Sequence, residues 1–132
     1  MKNVVFILAL GLIFLSSCEK EVTPSTPSNT TPSVVRDITV DYAIYSVSGD
    51  VEVVALIPDA NGALVEKTFH ITRQNHTINF TTKSHQQIQV KARNTNPSHD
   101  EVLVSVYVDG LLFKSNSTTV ANGWAIATGT PQ

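Results

Sequence analysis

Val102-Leu103-Val104-Ser105-Val106-Tyr107-Val108-Asp109-Gly110-Leu111-Leu112-Phe113-Lys114-Ser115-Asn116-Ser117 is the stretch that decides the fold. Asp-Gly between two apolar runs favours a two-residue type I′ turn, because both central residues of that turn need positive φ. The turn sets a register, with Val108 opposite Leu111, Tyr107 opposite Leu112 and Val106 opposite Phe113. Side chains alternate along a strand. Val102, Val104, Val106, Val108, Leu111 and Phe113 therefore share one face, which the pattern assigns to a core. Leu103, Tyr107 and Leu112 go to the other face.

Working outward, the same period of two recurs on both sides. Ile38, Val40, Tyr42 and Ile44 alternate with smaller or polar residues in a strand that reaches about Val47. Val51, Val53, Ala55 and Ile57 mark a second strand after the Ser48-Gly49-Asp50 turn. A third runs from Leu64 to Thr72 with Val65, Phe69 and Ile71 inward, and a short fourth carries Ile78 and Phe80. Gln86 to Asn94 is the clearest amphipathic segment, with Ile88, Val90 and Ala92 facing in. A last strand is expected from about Thr119 to Thr128, including Trp124 and Ile126. The expectation is an all-β chain: an antiparallel, immunoglobulin-like β-sandwich of seven or eight strands over residues 36–132. A small closed barrel is the alternative. The Cys-Trp-Cys pattern of true immunoglobulin domains is absent.

Before this domain the composition changes. Met1-Lys2-Asn3 is a short basic start, and Val4 to Leu15 is apolar except for Gly11. That is the length of a secretory signal and too short to span a bilayer, which takes about 20 residues. The run ends in Leu15-Ser16-Ser17-Cys18, which resembles a bacterial lipobox. The resemblance implies a signal peptide over residues 1–17, a lipidated Cys18 and a membrane-held protein. Glu19-Lys20-Glu21 has no Asp beside the cysteine, so the expected address is the outer membrane; the Lys-Glu pair resembles a short surface-export signal, and both leaflets stay open. Residues 18–35, with Pro24, Pro27 and Pro32 among Ser, Thr and Asn, read as a flexible linker with almost nothing apolar to bury.

Cys18 is the only cysteine, so no disulfide framework is available and stability must come from packing. Residues 18–132 carry eight basic against eleven acidic side chains with no basic stripe, which leaves a nucleic-acid role without electrostatic footing.

Several segments together resemble the MmpS family, small membrane-anchored accessory proteins of RND-type lipid exporters. They are Tyr42-Ala43-Ile44 followed by Gly49, Asp59-Ala60-Asn61-Gly62, Ile88-Gln89-Val90-Lys91-Ala92, and Val104 to Gly110. The resemblance implies a β-domain of about this length and an exporter-accessory role. Family members carry a transmembrane helix where this chain has its lipobox, and often a C-terminal cysteine pair that residues 116–132 lack.

No reaction is written in the chain. It has neither a Gly-x-Ser-x-Gly elbow nor a phosphate loop. The four histidines have no metal-binding spacing, and Asp59-Ala60-Asn61-Gly62 reads as turn chemistry rather than a calcium loop. The expectation is a non-enzymatic binding module without cofactor or metal. Apolar residues on the wrong face of their strands, Val54, Leu56, Leu103, Tyr107 and Leu112, with Tyr45 beside them, suggest a contact surface. Tyr107, Leu112, Leu103 and Trp124 are the candidate binding residues for an envelope protein partner or, alternatively, a glycan.

Overall fold

The computed structural model describes residues 33–97 and 99–132. The expected signal peptide, Cys18 and the expected linker as far as residue 32 lie outside the described residues. Eight strands follow one another: β1 (Asp37–Ser46), β2 (Val51–Pro58), β3 (Leu64–Ile71), β4 (Asn75–Lys83), β5 (Ile88–Asn94), β6 (Val102–Val108), β7 (Leu111–Thr118) and β8 (Ala125–Gly129). They form two four-stranded antiparallel sheets, β4-β1-β6-β7 (sheet 1) and β3-β2-β5-β8 (sheet 2). The sheets pack face to face as a β-sandwich.

The inward residues of β1, β2, β5 and β6 fill the space between them. Val40, Tyr42, Val53, Val90, Val104 and Val106 are fully buried. Each such Val contributes about 1.5–3 kcal/mol by leaving water. Ile78, Phe80, Val108 and Phe113 close the sides of the same cluster. The period of two was legible in these strands because one face is buried and the other is not.

Tyr42 is the exception in an otherwise aliphatic layer. From sheet 1 it crosses the core, and its hydroxyl donates to the Leu56 carbonyl (2.9 Å) and accepts from the Gln89 N–H (3.1 Å). The β2–β5 ladder runs from Val51↔Asn94 to Ala55↔Val90. Leu56 and Gln89 stand at the next step, so the phenol takes the place of the hydrogen bond that would continue it. Burial pushes the Tyr42 pKa well above the usual tyrosine value, partly offset by the Gln89 N–H. Phe80 meets the ring edge-on, with centroids 5.2 Å apart.

Four sequence expectations need correction. The Asp109-Gly110 turn forms with both φ angles positive, 51° and 78°, and the first two pairs of its register hold. The third does not: a bulge brings Lys114, not Phe113, opposite Val106. The extra residue turns the Phe113 ring onto Gly129 of β8, where an added Cβ would lie 2.7 Å from the ring. Asn116 Nδ2 donates to the Ile126 carbonyl (3.0 Å), so β7 and β8 seal that side of the sandwich. Leu111 is not core; it is 75% exposed at the hairpin tip, beyond the reach of sheet 2. The last strand starts at Ala125, so Trp124 precedes it. Asn122 takes a positive φ and the Gly123 N–H closes a turn on the Val120 carbonyl (2.8 Å), which uses the residues before it as a crossover. The fourth strand is also longer than expected, nine residues.

Candidate functional site

The ladders of sheet 1 put β4, β1, β6 and β7 side chains in rows across its outer face. Asn75, Tyr45, Leu103 and Ser117 form one row; Thr77, Ala43, Ser105 and Ser115 the next; Asn79, Asp41, Tyr107 and Leu112 the third. The middle row is small. Its Ser105 and Ser115 hydroxyls bond to each other at 2.9 Å. The rows on either side carry the large side chains, and a shallow groove of about 160 Å³ results, with Tyr45, Leu103 and Tyr107 as walls and Ala43, Ser105 and Thr77 below. Tyr45 and Tyr107 lie four residues apart along the strands and one strand apart across them, about 14 Å between Cα atoms.

Electrostatically this face is quiet. Between the strand ends its one charge is Asp41, which accepts a hydrogen bond from Asn79 Nδ2 at 2.5 Å. The groove therefore offers two phenols, one isobutyl group, hydroxyls, the Asn75 amide and the His76 imidazole. Such a surface can bind by apolar contact and hydrogen bonding.

Leu103 and Tyr107 thus come together with Tyr45, an outward residue that the sequence offered as a sugar-stacking candidate. Leu112 stands opposite Tyr107 but lines a different hollow at the hairpin tip, with Leu111, Phe113, Val108, Pro131 and Arg36. Trp124 is not part of the group. It lies on the outer face of sheet 2 beneath Arg93 (4.7 Å) and Lys91 (5.9 Å). Those cations are paired in turn, Arg93 with Glu52 at 2.9 Å and Lys91 with Glu66 at 3.5 Å. Val54, opposite Lys91 and Thr68, is buried in this lattice rather than offered to a partner. Sequence reasoning missed the floor residues Ala43, Ser105 and Thr77. Their signal is a small residue at an outward position on each of three strands, visible only once the strand order is known.

The other candidate chemistry resolves into structure. Asp59 Oδ1 accepts from the N–H groups of Asn61 (2.8 Å) and Ala63 (3.0 Å), shaping the β2–β3 turn with Gly62 at φ 80°. Asp50 sits at the opposite end of the sandwich, beside His70 (2.9 Å). Among the described residues no three His, Cys, Asp or Glu side chains gather in a way that holds a metal ion. Comparison with known proteins gives no matching family model and no matching curated protein.

Proposed function

We propose that this protein is a non-enzymatic envelope lipoprotein, held at the outer membrane through Cys18, whose outer sheet 1 face binds a partner protein. The observation that carries the reading is the Tyr45–Leu103–Tyr107 groove: large apolar side chains left half-exposed on a face with almost no charge. Tyrosines of this kind are enriched where interfaces concentrate their binding energy. The lipobox-like Leu15-Ser16-Ser17-Cys18 supports the anchor, and three acyl chains exceed the two that stable attachment requires.

The strand order supports an immunoglobulin-like class for the sandwich. β1, β2, β4 and β5 take the positions of strands B, C, E and F of that fold, with β3 as C′ and β8 as G. The β6–β7 hairpin departs from it, filling the A position beside β1 from within the F-to-G connection. The groove lies on β4, β1 and the first strand of this hairpin, β6.

A photo-crosslinking residue at position 107 in cells tests the binding face. The expected result is a discrete adduct that disappears when Tyr45→Ser is added, with no equivalent adduct from position 68 on the opposite face. Equal adducts from both faces overturn it. Cys18→Ala is expected to release the chain from membranes or block its maturation; unchanged fractionation with lipid defeats the anchor.

A glycan ligand is the second reading, favoured by the hydroxyls and amides between two tyrosines. Retardation in polysaccharide gels, lost on Tyr45→Ser and Tyr107→Ser, would select it over a protein partner.

A further inference from the structure

We propose that the end of the sandwich bearing the Asp109-Gly110 turn is a membrane-contact surface, seated on the lipid interface by Leu111, Leu112, Val34 and Val35. This orientation rests on the Cys18 anchoring proposed above. The four side chains are 75%, 60%, 78% and 59% exposed, and all lie at one end of the molecule. The hairpin tip projects past the core, so alternation puts one leucine on each side of β7 with no opposing sheet to cover either.

The place where the chain joins the domain is fixed beside this tip. Arg36 Nη1 pairs with Asp109 Oδ2 at 2.6 Å, and Asp109 Oδ1 accepts the Thr39 N–H at 2.9 Å. Those two contacts, the backbone bond first, hold the Asp109 carboxyl below its usual pKa. The Arg36 carbonyl accepts from the Ser84 N–H (2.8 Å), and the Arg36 N–H donates to Ser84 Oγ (3.1 Å). Val34 and Val35 are the residues immediately before this clamp.

From Cys18 to Ser33 is 15 residues, which reach at most about 50 Å. The tether therefore joins the domain at this end and brings it within reach of the bilayer, and the apolar contact fixes which end faces the lipid. Strands of eight to ten residues put the opposite loops about 25–30 Å farther out. Tethering makes a second, weak apolar contact intramolecular, at an effective concentration in the millimolar range for a short link.

The described cations here are paired, Arg36 with Asp109 and Lys83 with Asp37 (2.7 Å), and Asp59 in the β2–β3 turn adds a further negative charge at this end. The described residues of this end therefore form no cationic patch for anionic headgroups. The contact is apolar, so zwitterionic lipid suffices and salt has little effect.

The test uses the full processed lipoprotein in phosphatidylcholine vesicles, with acylated Cys18 inert to thiol reagents. A fluorophore is placed at Leu112→Cys or at Val120→Cys, the latter exposed in the β7–β8 connection at the far end. Acyl-brominated lipid is expected to quench the label at 112 at least threefold more than that at 120, and Leu111→Ser with Val34→Ser to remove most of the difference. Flotation with the vesicles but equal quenching at both positions overturns the orientation alone. Shielding of 112 from an aqueous quencher without lipid quenching also overturns it, and marks a protein occupant. Failure to float overturns the anchoring, and this surface with it.

Discussion

The two outer faces of the sandwich come from the same alternation and have opposite characters. On sheet 2, Glu52–Arg93 and Glu66–Lys91 cross between strands and both cations rest on Trp124. The charged side chains and Trp124 there have neighbours of matching chemistry, while Ile126, opposite Lys91, stays 40% exposed as an isolated apolar residue. On sheet 1, Tyr45, Leu103 and Tyr107 stand around a floor of Ala43, Ser105 and Thr77. Nothing among the described residues of that face covers them. A binding surface is therefore marked by side chains whose partners are missing, and the mere presence of an aromatic does not identify one. Trp124, the strongest anchor by residue type, is already occupied.

That contrast can be broken most sharply at Val54, which is buried within the sheet 2 lattice. Val54→Asp would place a carboxylate there without a partner, and about 3 kcal/mol or more of stability should be lost in urea unfolding. The matching sheet 1 change, Ala43→Asp, should cost about 1 kcal/mol and remove the crosslink from position 107. A comparable stability loss from both would erase the distinction between the faces.

Tyr42→Phe tests what holds the faces at a fixed spacing. It strands the Leu56 carbonyl and the Gln89 N–H, at about 1–3 kcal/mol. The folded chain keeps the phenol proton at a pH where the unfolded chain releases it, near the ordinary tyrosine value of 10.0. The resulting stabilisation is complete below that pH and declines as pH rises above it. Urea midpoints measured from pH 8 upward should show this alkaline decline, and Tyr42→Phe should flatten it.

Trp124→Ala should lower stability by about 1–2 kcal/mol through lost stacking under two cations, and leave partner binding unchanged. An equal loss of binding would move the site to sheet 2. Glu52→Gln is the mildest of these changes. Its ion pair is part-exposed, and such pairs contribute about 1 kcal/mol or less. The effect should shrink further in 1 M salt.

Much of this architecture was readable from local pattern. Asp109-Gly110 marked its turn because few dipeptides tolerate two positive φ angles, and Ile88, Val90 and Ala92 marked a strand because one face only is apolar. Alternation also sent Leu103 and Tyr107 outward correctly. It could not say outward from which sheet, and that is why Trp124 was grouped with Tyr107 although they lie on opposite faces. Pairing rules extrapolated from the turn failed at Phe113, because a bulge there seats its ring against Gly129, a residue 16 positions away that local pattern does not reveal. Tyr42 carried a signal that alternation ignores: a buried phenol needs a hydrogen-bond partner, and the nearest unpaired backbone groups belong to the other sheet.

The Tyr42 bridge also turns one amide into a gauge. Since the hydrogen on Gln89 nitrogen is held by an oxygen from the facing layer rather than by an adjoining strand, its deuterium uptake reports how often the two layers part. The uptake of its neighbours within the β5 ladder reports unzipping inside a single layer, so the two kinds of breathing can be timed separately in one native molecule.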